Sequence, residues 1–348
     1  MTRAPAFATW TVHSFVRRRA LLTIAGIAVL SSIVLGQTRE RVYRIAYVGQ
    51  QNHELTDAFR ARLAELGYVE GKNLEIRYFP APEINPDDLT GATREALAWK
   101  PDVIRASWTH NVRRVAALTS TIPIVFNGVS EPVTSGLVGS LAHPGGNVTG
   151  VTIMQTELTA KRLELVRELL PRAKRIALIV DSTLRPAKAM DEIQLSARRL
   201  GLTLEEFDPS REPRHYIGAL ESIAKARPDA VIHVFATPDA RDLALGARQP
   251  VNPIDLLYDL QRVHRIPVVW TETGGVERGI LAGLGGTWQE QAQITADQTA
   301  TIFRGTPVGE IPIQRLTRIV VAINLKAAKE LGITVPQSAL NGADIVVE

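Results

Sequence analysis

The sequence has 348 residues, 45% hydrophobic and 22% charged, which is typical of a folded protein with room for two domains. Its formal net charge of +4 comes from Arg3 and Arg17–Arg19, because residues 1–36 contain no acid and the remainder has 36 basic and 36 acidic residues. This balance argues against nucleic acid as a partner. The absence of cysteine excludes disulfides, thiolate metal sites, a cysteine nucleophile and a lipid-modified cysteine.

The first 36 residues have the pattern of a targeting segment. Three arginines precede an apolar run, Ala20–Leu35, and the small residues Val34 and Gly36 suit the −3 and −1 positions of a cleavage site. We therefore predict that residues 1–36 are a secretory signal peptide and that the protein is periplasmic. The alternative is an uncleaved inner-membrane anchor, because the run is only somewhat shorter than the ~20 residues of a spanning helix.

Strand and helix patterns alternate along the first half of the chain. Short apolar strands such as "RIAYVG", "DVIRAS" and "IPIVFNGV" are separated by amphipathic segments of helical periodicity. One of these helices is predicted to end at Gly67 and the next to start near Pro86. Strands alternating with helices of this length predict βαβ units and a parallel sheet.

The pattern then restarts in the second half. "RIALIVD" (Arg175–Asp181) resembles "RIAYVG", "DAVIHVF" (Asp229–Phe235) resembles "DVIRAS", and "HRIPVVW" (His264–Trp270) resembles "STIPIVF". The copies lie about 130 to 145 residues apart and occur in the same order. We interpret this as an internal duplication of an α/β lobe. One large doubly wound sheet is the alternative.

Three segments are candidates for crossings between the lobes. "HPGGN" is a dense turn followed at once by a β-branched strand, and the segments Ile280–Thr287 and Leu316–Asn324 are further apolar strands. The predicted fold is α/β, with two Rossmann-like lobes of parallel sheet joined by three crossovers. We assign residues 42–152 plus 281–305 to lobe 1, and 153–280 plus 306–348 to lobe 2. The hinge is expected near residues 152–155, 285–287 and 307–314.

Ligands of such sheets bind outside the carboxyl ends of the strands, which places the predicted site in the cleft between the lobes. The expected ligand-binding residues follow the strands of lobe 1 (Gln50, Gln51, Asn52, Ser107, Trp108, Thr109, Asn127, Ser130 and Glu131) and those of lobe 2 (Asp181, Ser182, Thr237, Asp239, Thr271 and Glu272).

These residues suit a zwitterionic ligand. Ser107 and Thr109 stand at a helix start, where free N–H groups favour a carboxylate, and Trp108 is suited to stacking. The acids of lobe 2, Asp181, Asp239 and Glu272, are suited to an ammonium group. The alternatives are that the hydroxyl residues only cap the helix, that the tryptophan belongs to the core, and that the acids are turn residues.

Motifs for catalysis are weak. "GVSEP" resembles a nucleophile elbow around Ser130, but proline replaces the final glycine that the strand-to-helix turn needs. The seven histidines show no metal-binding spacing. We therefore expect no enzyme activity, no cofactor and no metal.

Four segments carry a specific resemblance: "ELGYVEGKNLEIRY", "STIPIVFNGVSEPVTSGLVGSLAHPGGNVTGVT", "ELTAKRLELVRELLPRAKRIALIVD" and "VVAINLKAAKELGITVPQSALNGADIVVE". They resemble the ABC transporter substrate-binding protein family that includes tryptophan- and tyrosine-binding members. Most specific is the combination of "IPIVF" and "PGGNVTG" at this spacing. The chain departs from the family pattern at Glu131, where aspartate is usual, and in the "TETGGVERG" loop.

The resemblance implies a type I periplasmic-binding fold and delivery of a small solute, such as an amino acid or small carboxylate, to an ABC permease and its ATPase. It implies no catalysis, and the mature protein is expected to be a monomer. The alternative function is a membrane-tethered ligand-sensing module that uses the same fold.

Overall fold

Two sheets organise the chain in the computed structural model, which describes residues 41–49, 52–81, 86–182, 185, 188–212, 215–234 and 253–348, with residues 86–88 described as backbone only. The strands within these residues are β1 (Tyr43–Val48), β2 (Leu74–Phe79), β3 (Val103–Ser107), β4 (Ile124–Val129), β5 (Val148–Thr152), β6 (Arg175–Ile179), β7 (Thr203–Phe207), β8 (Ala230–His233), β9 (Val268–Trp270), β10 (Ala282–Gly286), β11 (Gln314–Arg315), β12 (Ile319–Asn324) and β13 (Ile345–Val347).

The helices within the same residues are α1 (His53–Glu65), α2 (Pro86–Ala98), α3 (Thr109–Leu118), α4 (Gln155–Leu169), α5 (Ala189–Arg199), α6 (His215–Ala226), α7 (Pro253–His264), α8 (Gly274–Glu277), α9 (Trp288–Phe303), α10 (Leu325–Leu331) and α11 (Gln337–Asn341).

The order of the strands confirms the internal duplication. The first sheet has the order β2-β1-β3-β4-β5-β11, and the second has the order β7-β6-β8-β9-β10-β12-β13. Neighbouring strands are parallel, except that β12 runs antiparallel to β10. The first five strands of each sheet therefore have the same doubly wound order, and each sheet forms the centre of one lobe.

Each sheet is covered by helices on both faces. In the first lobe, α2 and α3 pack on one face through residues such as Leu89 and Val112, while α1 and α9 pack on the other through Phe59 and Ala296. In the second lobe, α4, α5, α10 and α11 cover one face, and α6 and α7 cover the other. Burial on both faces explains why central strands such as β8 and β9 read as continuous apolar runs instead of alternating ones.

The boundaries between the lobes differ from the sequence interpretation at the second and third crossings. Ala282–Gly286 pairs with β9 and β12 in the second sheet, although residues 281–305 were assigned to lobe 1. Gln314–Arg315 pairs with β5 in the first sheet, although residues 306–348 were assigned to lobe 2. The chain therefore changes sheets at residues 153–154, at Thr287 and at residues 316–318. A pattern of apolar residues predicts that a strand forms, but not which sheet it joins.

The second and third crossings are tied together by Glu290, in the first turn of α9. Its carboxylate accepts hydrogen bonds from the Thr317 amide (2.7 Å), the Thr317 hydroxyl (2.6 Å) and the Arg318 amide (3.2 Å). The Thr287 hydroxyl caps the same helix by accepting from the amide of Glu290 at 3.1 Å. One carboxylate thus holds the backbone of the third crossing against the helix that follows the second.

The "HPGGN" turn lies at the amino end of β5, away from the carboxyl ends of the strands. The Asn147 side chain donates to the carbonyls of Thr119 (2.9 Å) and Ile122 (2.8 Å), and the Gly145 amide donates to the carbonyl of Gly309 (3.2 Å). This segment is therefore a fixed turn and not a flexible linker.

The glycines of β10 permit a close backbone approach. The loop after β9 crosses this strand so tightly that a Cβ atom on Gly285 would lie 2.0 Å from the carbonyl oxygen of Thr271, and one on Gly283 would lie 2.1 Å from that of Glu272. Glycine in a strand interior commonly marks such an approach. The pair of glycines therefore sets the position of the Thr271–Glu272 loop.

We predict that Gly285→Ala lowers the free energy of unfolding by about 1–3 kcal/mol, because the new methyl group overpacks the Thr271 carbonyl. Chemical denaturation measures this change. The matched control is Gly139→Ala, since a Cβ atom on Gly139 has no neighbour within 4 Å and the φ angle there is not positive. Equal stability of the two variants would contradict the close approach.

Candidate functional site

The candidate site lies where the carboxyl ends of the strands of the two lobes meet. Glu54, in the first turn of α1, belongs to the first lobe, and Glu272 follows β9 of the second. Desolvation is the main cause of the raised pKa of Glu272, and the charge of Glu54 raises it further, so the two carboxylates interact electrostatically across the lobes. This is the place that the strand order predicts for a ligand.

Two tryptophans form part of the surface that the first lobe presents to the cleft, the first-lobe wall. Trp108 follows β3 with a φ angle of 70°, and its ring rests on Gly128, where a Cβ atom would lie only 2.9 Å from the indole. Trp288, the first residue of α9, stands edge-to-face with Trp108, with ring centroids 6.3 Å apart and an interplanar angle of 83°. Both are partly exposed, so the pair presents aromatic surface to solvent.

The start of α3 adjoins this aromatic pair. Trp108 occupies the N-cap position, where an indole cannot accept from the first amides, and no side-chain capping bond is formed there. The Thr109 hydroxyl accepts from the Ser130 amide at 3.3 Å and keeps its own proton to donate. Burial and Arg114 lower the pKa of His110 to about 4, so this histidine is neutral at pH 7. The positive character at the start of α3 therefore does not depend on His110, and the helix dipole contributes to it.

Ser107 and Asn127 are buried behind the partly exposed surface that Trp108 and Trp288 form. Ser107 is 8% exposed and Asn127 is 1% exposed. The Ser107 hydroxyl donates to Asn127 Oδ1 at 3.0 Å and lies 3.2 Å from the Tyr47 hydroxyl. Its proton is therefore engaged within the protein, unlike the ligand donor that the sequence suggested. The reason is geometric: Ser107 ends its strand facing the layer of α1 and α9.

Two other predicted residues, Asn52 and Glu131, act as helix caps. Asn52 Oδ1 accepts from the Leu55 amide at 3.0 Å and caps α1. Glu131 Oε1 accepts from the Thr156 amide at 3.2 Å, in the first turn of α4 across the first crossing. A carboxylate at a helix N-terminus is favourable, which accounts for an acid at position 131. The Ser130 carbonyl accepts from the Thr152 hydroxyl at 2.9 Å.

The surface that the second lobe presents to the cleft, the second-lobe wall, is stabilised by Arg162 of α4. Its side chain is fully buried, and its guanidinium donates to the carbonyls of Leu284 (2.9 Å) and Thr271 (3.1 Å). It therefore joins α4, β10 and the loop that carries Glu272. Desolvation lowers the pKa of Arg162 to about 9, although the charge of Glu272 acts in the opposite direction.

Glu272 is a titratable group of this wall. The residue is partly accessible, yet desolvation raises the pKa of its carboxyl to about 8, with Arg162 lowering the pKa and Glu54 raising it further. An acid with this pKa is mainly protonated at pH 7 and ionises readily when a cation approaches. It fits the predicted role beside an ammonium group.

The remaining predicted residues are separated from this group or fall outside the described residues. Asp181 and Ser182 follow β6, and the Ser182 amide donates to Asp208 Oδ1 (3.3 Å), beyond the edge strand β7. Strand β8 lies between β6 and β9, so the structure places Ser182 apart from Thr271. Gln50, Gln51, Thr237 and Asp239 lie outside the described residues, and their roles stay predictions.

Two residues of this region were missed by the sequence interpretation. Arg162 is spaced by three, four or seven residues from the buried leucines Leu158, Leu165 and Leu169, so it lies on the same helix face. An arginine on an otherwise apolar helix face could have indicated a buried charge. Trp288 follows directly on the glycine-rich strand, but it was interpreted only as the start of an amphipathic helix.

Within the described ranges, no group of three or more histidine, cysteine or acidic residues is arranged to hold a metal ion. Among the helices of those same ranges, none combines the length and apolar character needed to span a bilayer.

The chain is similar to known solute-binding proteins. It is 28% identical over 276 residues to a "Tyrosine-binding protein" of Clostridioides difficile, covering 78% of this chain and 75% of that one. A conserved domain protein from Vibrio cholerae superposes with a TM-score of 0.76 at 30% identity, over 88% of this chain and 100% of the other. A domain from Streptococcus pneumonia in complex with L-Trp gives a TM-score of 0.75 at 22% identity, over the same shares.

These neighbours, together with more distant sugar-binding proteins such as GanP from Geobacillus stearothermophilus (15% identity, TM-score 0.55, covering 81% of this chain and 97% of that one), confirm the predicted type I periplasmic-binding fold. The model of the ABC transporter substrate binding protein family matches residues 49–347, nearly the whole of the described chain. The protein belongs to the ABC transporter substrate-binding protein family.

Proposed function

We propose that this protein binds an aromatic amino acid between its lobes and delivers it, as an extracytoplasmic monomer, to an ABC permease driven by its ATPase. The observation that carries the proposal is the Trp108–Trp288 pair, which lies beside the uncapped start of α3. The similarity to a tyrosine-binding protein and to a complex with L-Trp supports the choice of ligand. The proposal includes no catalytic step.

The geometry gives each end of the ligand a complementary surface. The free amides at the start of α3 and the Thr109 hydroxyl suit the carboxylate. The indoles of Trp108 and Trp288 suit the aromatic ring, and Glu272, with Glu54 nearby, suits the ammonium group. Because these surfaces belong to different lobes, the ligand holds the lobes together and favours a closed state.

We predict that L-tyrosine or L-tryptophan binds the protein lacking residues 1–36, as measured by calorimetry, and that L-leucine binds more weakly. Trp288→Leu should weaken the aromatic ligand by about two- to tenfold, because an aromatic contact contributes about 0.5–1.5 kcal/mol beyond its buried area.

The matched control is Trp99→Leu. Trp99 lies between α2 and β3, and its ring packs against Phe79 and Arg44 of the first lobe. Failure of every aromatic amino acid to bind would overturn the proposed ligand. Equal affinities of the two tryptophan variants would overturn the role of Trp288.

We also predict that ligand binding releases a proton from Glu272. Its carboxyl is mainly protonated at pH 7 because desolvation raises its pKa to about 8, and a neighbouring ammonium group lowers that pKa. Affinity should therefore rise between about pH 6 and pH 8 and then level off. Calorimetry in buffers of different ionisation enthalpy measures the released proton.

Glu272→Gln should abolish both the released proton and the pH dependence of affinity in this range. Glu164→Gln is the control, because Glu164 is an exposed residue of α4. Proton release that persists in Glu272→Gln would assign it to another group.

Export is the last element of the proposed function. We predict that residues 1–36 are removed and that the mature protein is free in the periplasm, because an arginine cluster, an apolar run and small residues precede Gln37. N-terminal sequencing of the periplasmic fraction tests this. A chain that retains its first residues and sediments with membranes would instead establish the anchor.

A further inference from the structure

The first lobe contains a buried arginine that the proposed binding contacts do not use. Arg105 lies in the middle of β3 and is 1% exposed. Its guanidinium lies over the ring of Phe59, 3.7 Å from the centroid, and 5.2 Å from the centroid of Tyr47. An arginine in a central strand is unexpected, because a charge removed from water is costly unless it is paired.

The pairing of Arg105 is incomplete. Its Nη2 donates weakly to Asn127 Oδ1 (3.5 Å) and to the Thr295 hydroxyl (3.4 Å), while Nε and Nη1 are buried and find no acceptor among the described residues. No carboxylate of those residues lies within ion-pair distance. Desolvation lowers the pKa of Arg105, yet a guanidinium remains protonated in proteins. The two rings compensate part of the cost.

Arg162 of the second lobe shows what a compensated site looks like. Its guanidinium has two backbone carbonyls as acceptors, and an ionisable carboxyl group, that of Glu272, is its neighbour. Arg105 has no equivalent acid in the described chain, and aliphatic side chains of similar volume commonly replace buried charges without loss of stability. Packing alone therefore does not explain an arginine at this position.

The position of Arg105 relates it to the cleft. Its acceptor Asn127 also accepts from Ser107, the last residue of β3, and Trp108 and the start of α3 follow at once. The Trp108 amide donates to the Asn127 carbonyl at 3.1 Å. A chain of hydrogen bonds thus leads from the buried charge to the first-lobe wall.

We propose that Arg105 is a specificity-determining residue that selects a ligand with an anionic group at the first-lobe wall. Its positive charge acts from behind that wall, and its hydrogen bond to Asn127 Oδ1 helps to position the Asn127 side chain. The inference rests on the proposed function and deepens it. Charges in a protein interior are screened far less than at the surface, so a guanidinium that has no carboxylate partner among the described residues favours an anion at the end of its own strand. Glu272 favours the opposite charge on the second lobe, so the two walls orient a zwitterion.

The test compares ligands that differ only in the carboxylate. The protein lacking residues 1–36 is titrated with L-tyrosine and tyramine, and with L-tryptophan and tryptamine. Arg105→Met should weaken the amino acids at least tenfold and change the amines less than twofold. Arg105→Lys, which keeps the charge, should keep most of the preference for the amino acids. Arg44→Met is the matched control, because it removes one arginine from the start of β1, where the side chain is 45% exposed.

Circular dichroism and thermal unfolding establish that each variant is folded, and Arg105→Gln serves as the neutral variant if Arg105→Met does not fold. An equal loss for amino acids and amines would show a purely structural role and overturn the inference, as would no loss at all. Both outcomes leave the proposed ligand class intact.

If the unmutated protein binds no aromatic amino acid, the proposed ligand is overturned. Thermal shift with a panel of small carboxylates and their amides then tests the inference separately. The inference stands if carboxylates alone stabilise the unmutated protein and Arg105→Met removes that stabilisation. Stabilisation by amides as well, or by no carboxylate, overturns it.

Discussion

The guanidinium of Arg162 connects the parts of the second lobe on which the cleft depends. Arg162 belongs to α4, the helix that follows the first crossing. Its guanidinium donates to the carbonyl of Leu284 in β10, the strand that precedes the second crossing, and to the carbonyl of Thr271 in the loop between β9 and β10. Because backbone carbonyls accept these bonds, the contact fixes main-chain positions and not only a side chain. The glycines of β10 allow the same loop to lie against that strand, so Glu272 is held from two sides.

The two lobes share one topology but differ in their buried charges. Each contains a fully buried arginine, Arg105 or Arg162, beneath the carboxyl ends of its strands. The second-lobe arginine has an acidic neighbour, Glu272, that can ionise beside a cation, whereas the first-lobe arginine is packed against aromatic rings. Duplication explains the common architecture, and the different partners give the two walls opposite electrostatic character. This asymmetry is what a ligand with two opposite charges requires.

The sequence predicted the duplicated lobes well because apolar runs and helical spacing are local properties. It predicted the crossings less well, because which sheet a strand joins depends on distant partners, such as β9 for Ala282–Gly286. For the site, the rule that ligands bind beyond the carboxyl ends of the strands identified Trp108, Thr109 and Glu272 as candidates. The rule does not predict the direction in which a side chain points. Ser107 is adjacent to Trp108 in sequence, yet it faces the helical layer and donates to Asn127. Trp288 reaches the same wall from a segment 180 residues away, which no local pattern could show.

The contacts at the crossings constrain where the lobes can bend. Glu290 holds the amides of Thr317 and Arg318 against α9 of the first lobe, so the third crossing moves with that lobe and its bend lies close to the start of β12. At the first crossing, Glu131 of the first lobe caps α4 of the second, across a backbone that already has a φ angle of 45° at Met154. A rotation of the lobes must therefore pivot about the Glu131–Thr156 contact or break it. Pivoting is the less costly choice, because breaking it leaves a helix N-terminus without its carboxylate cap.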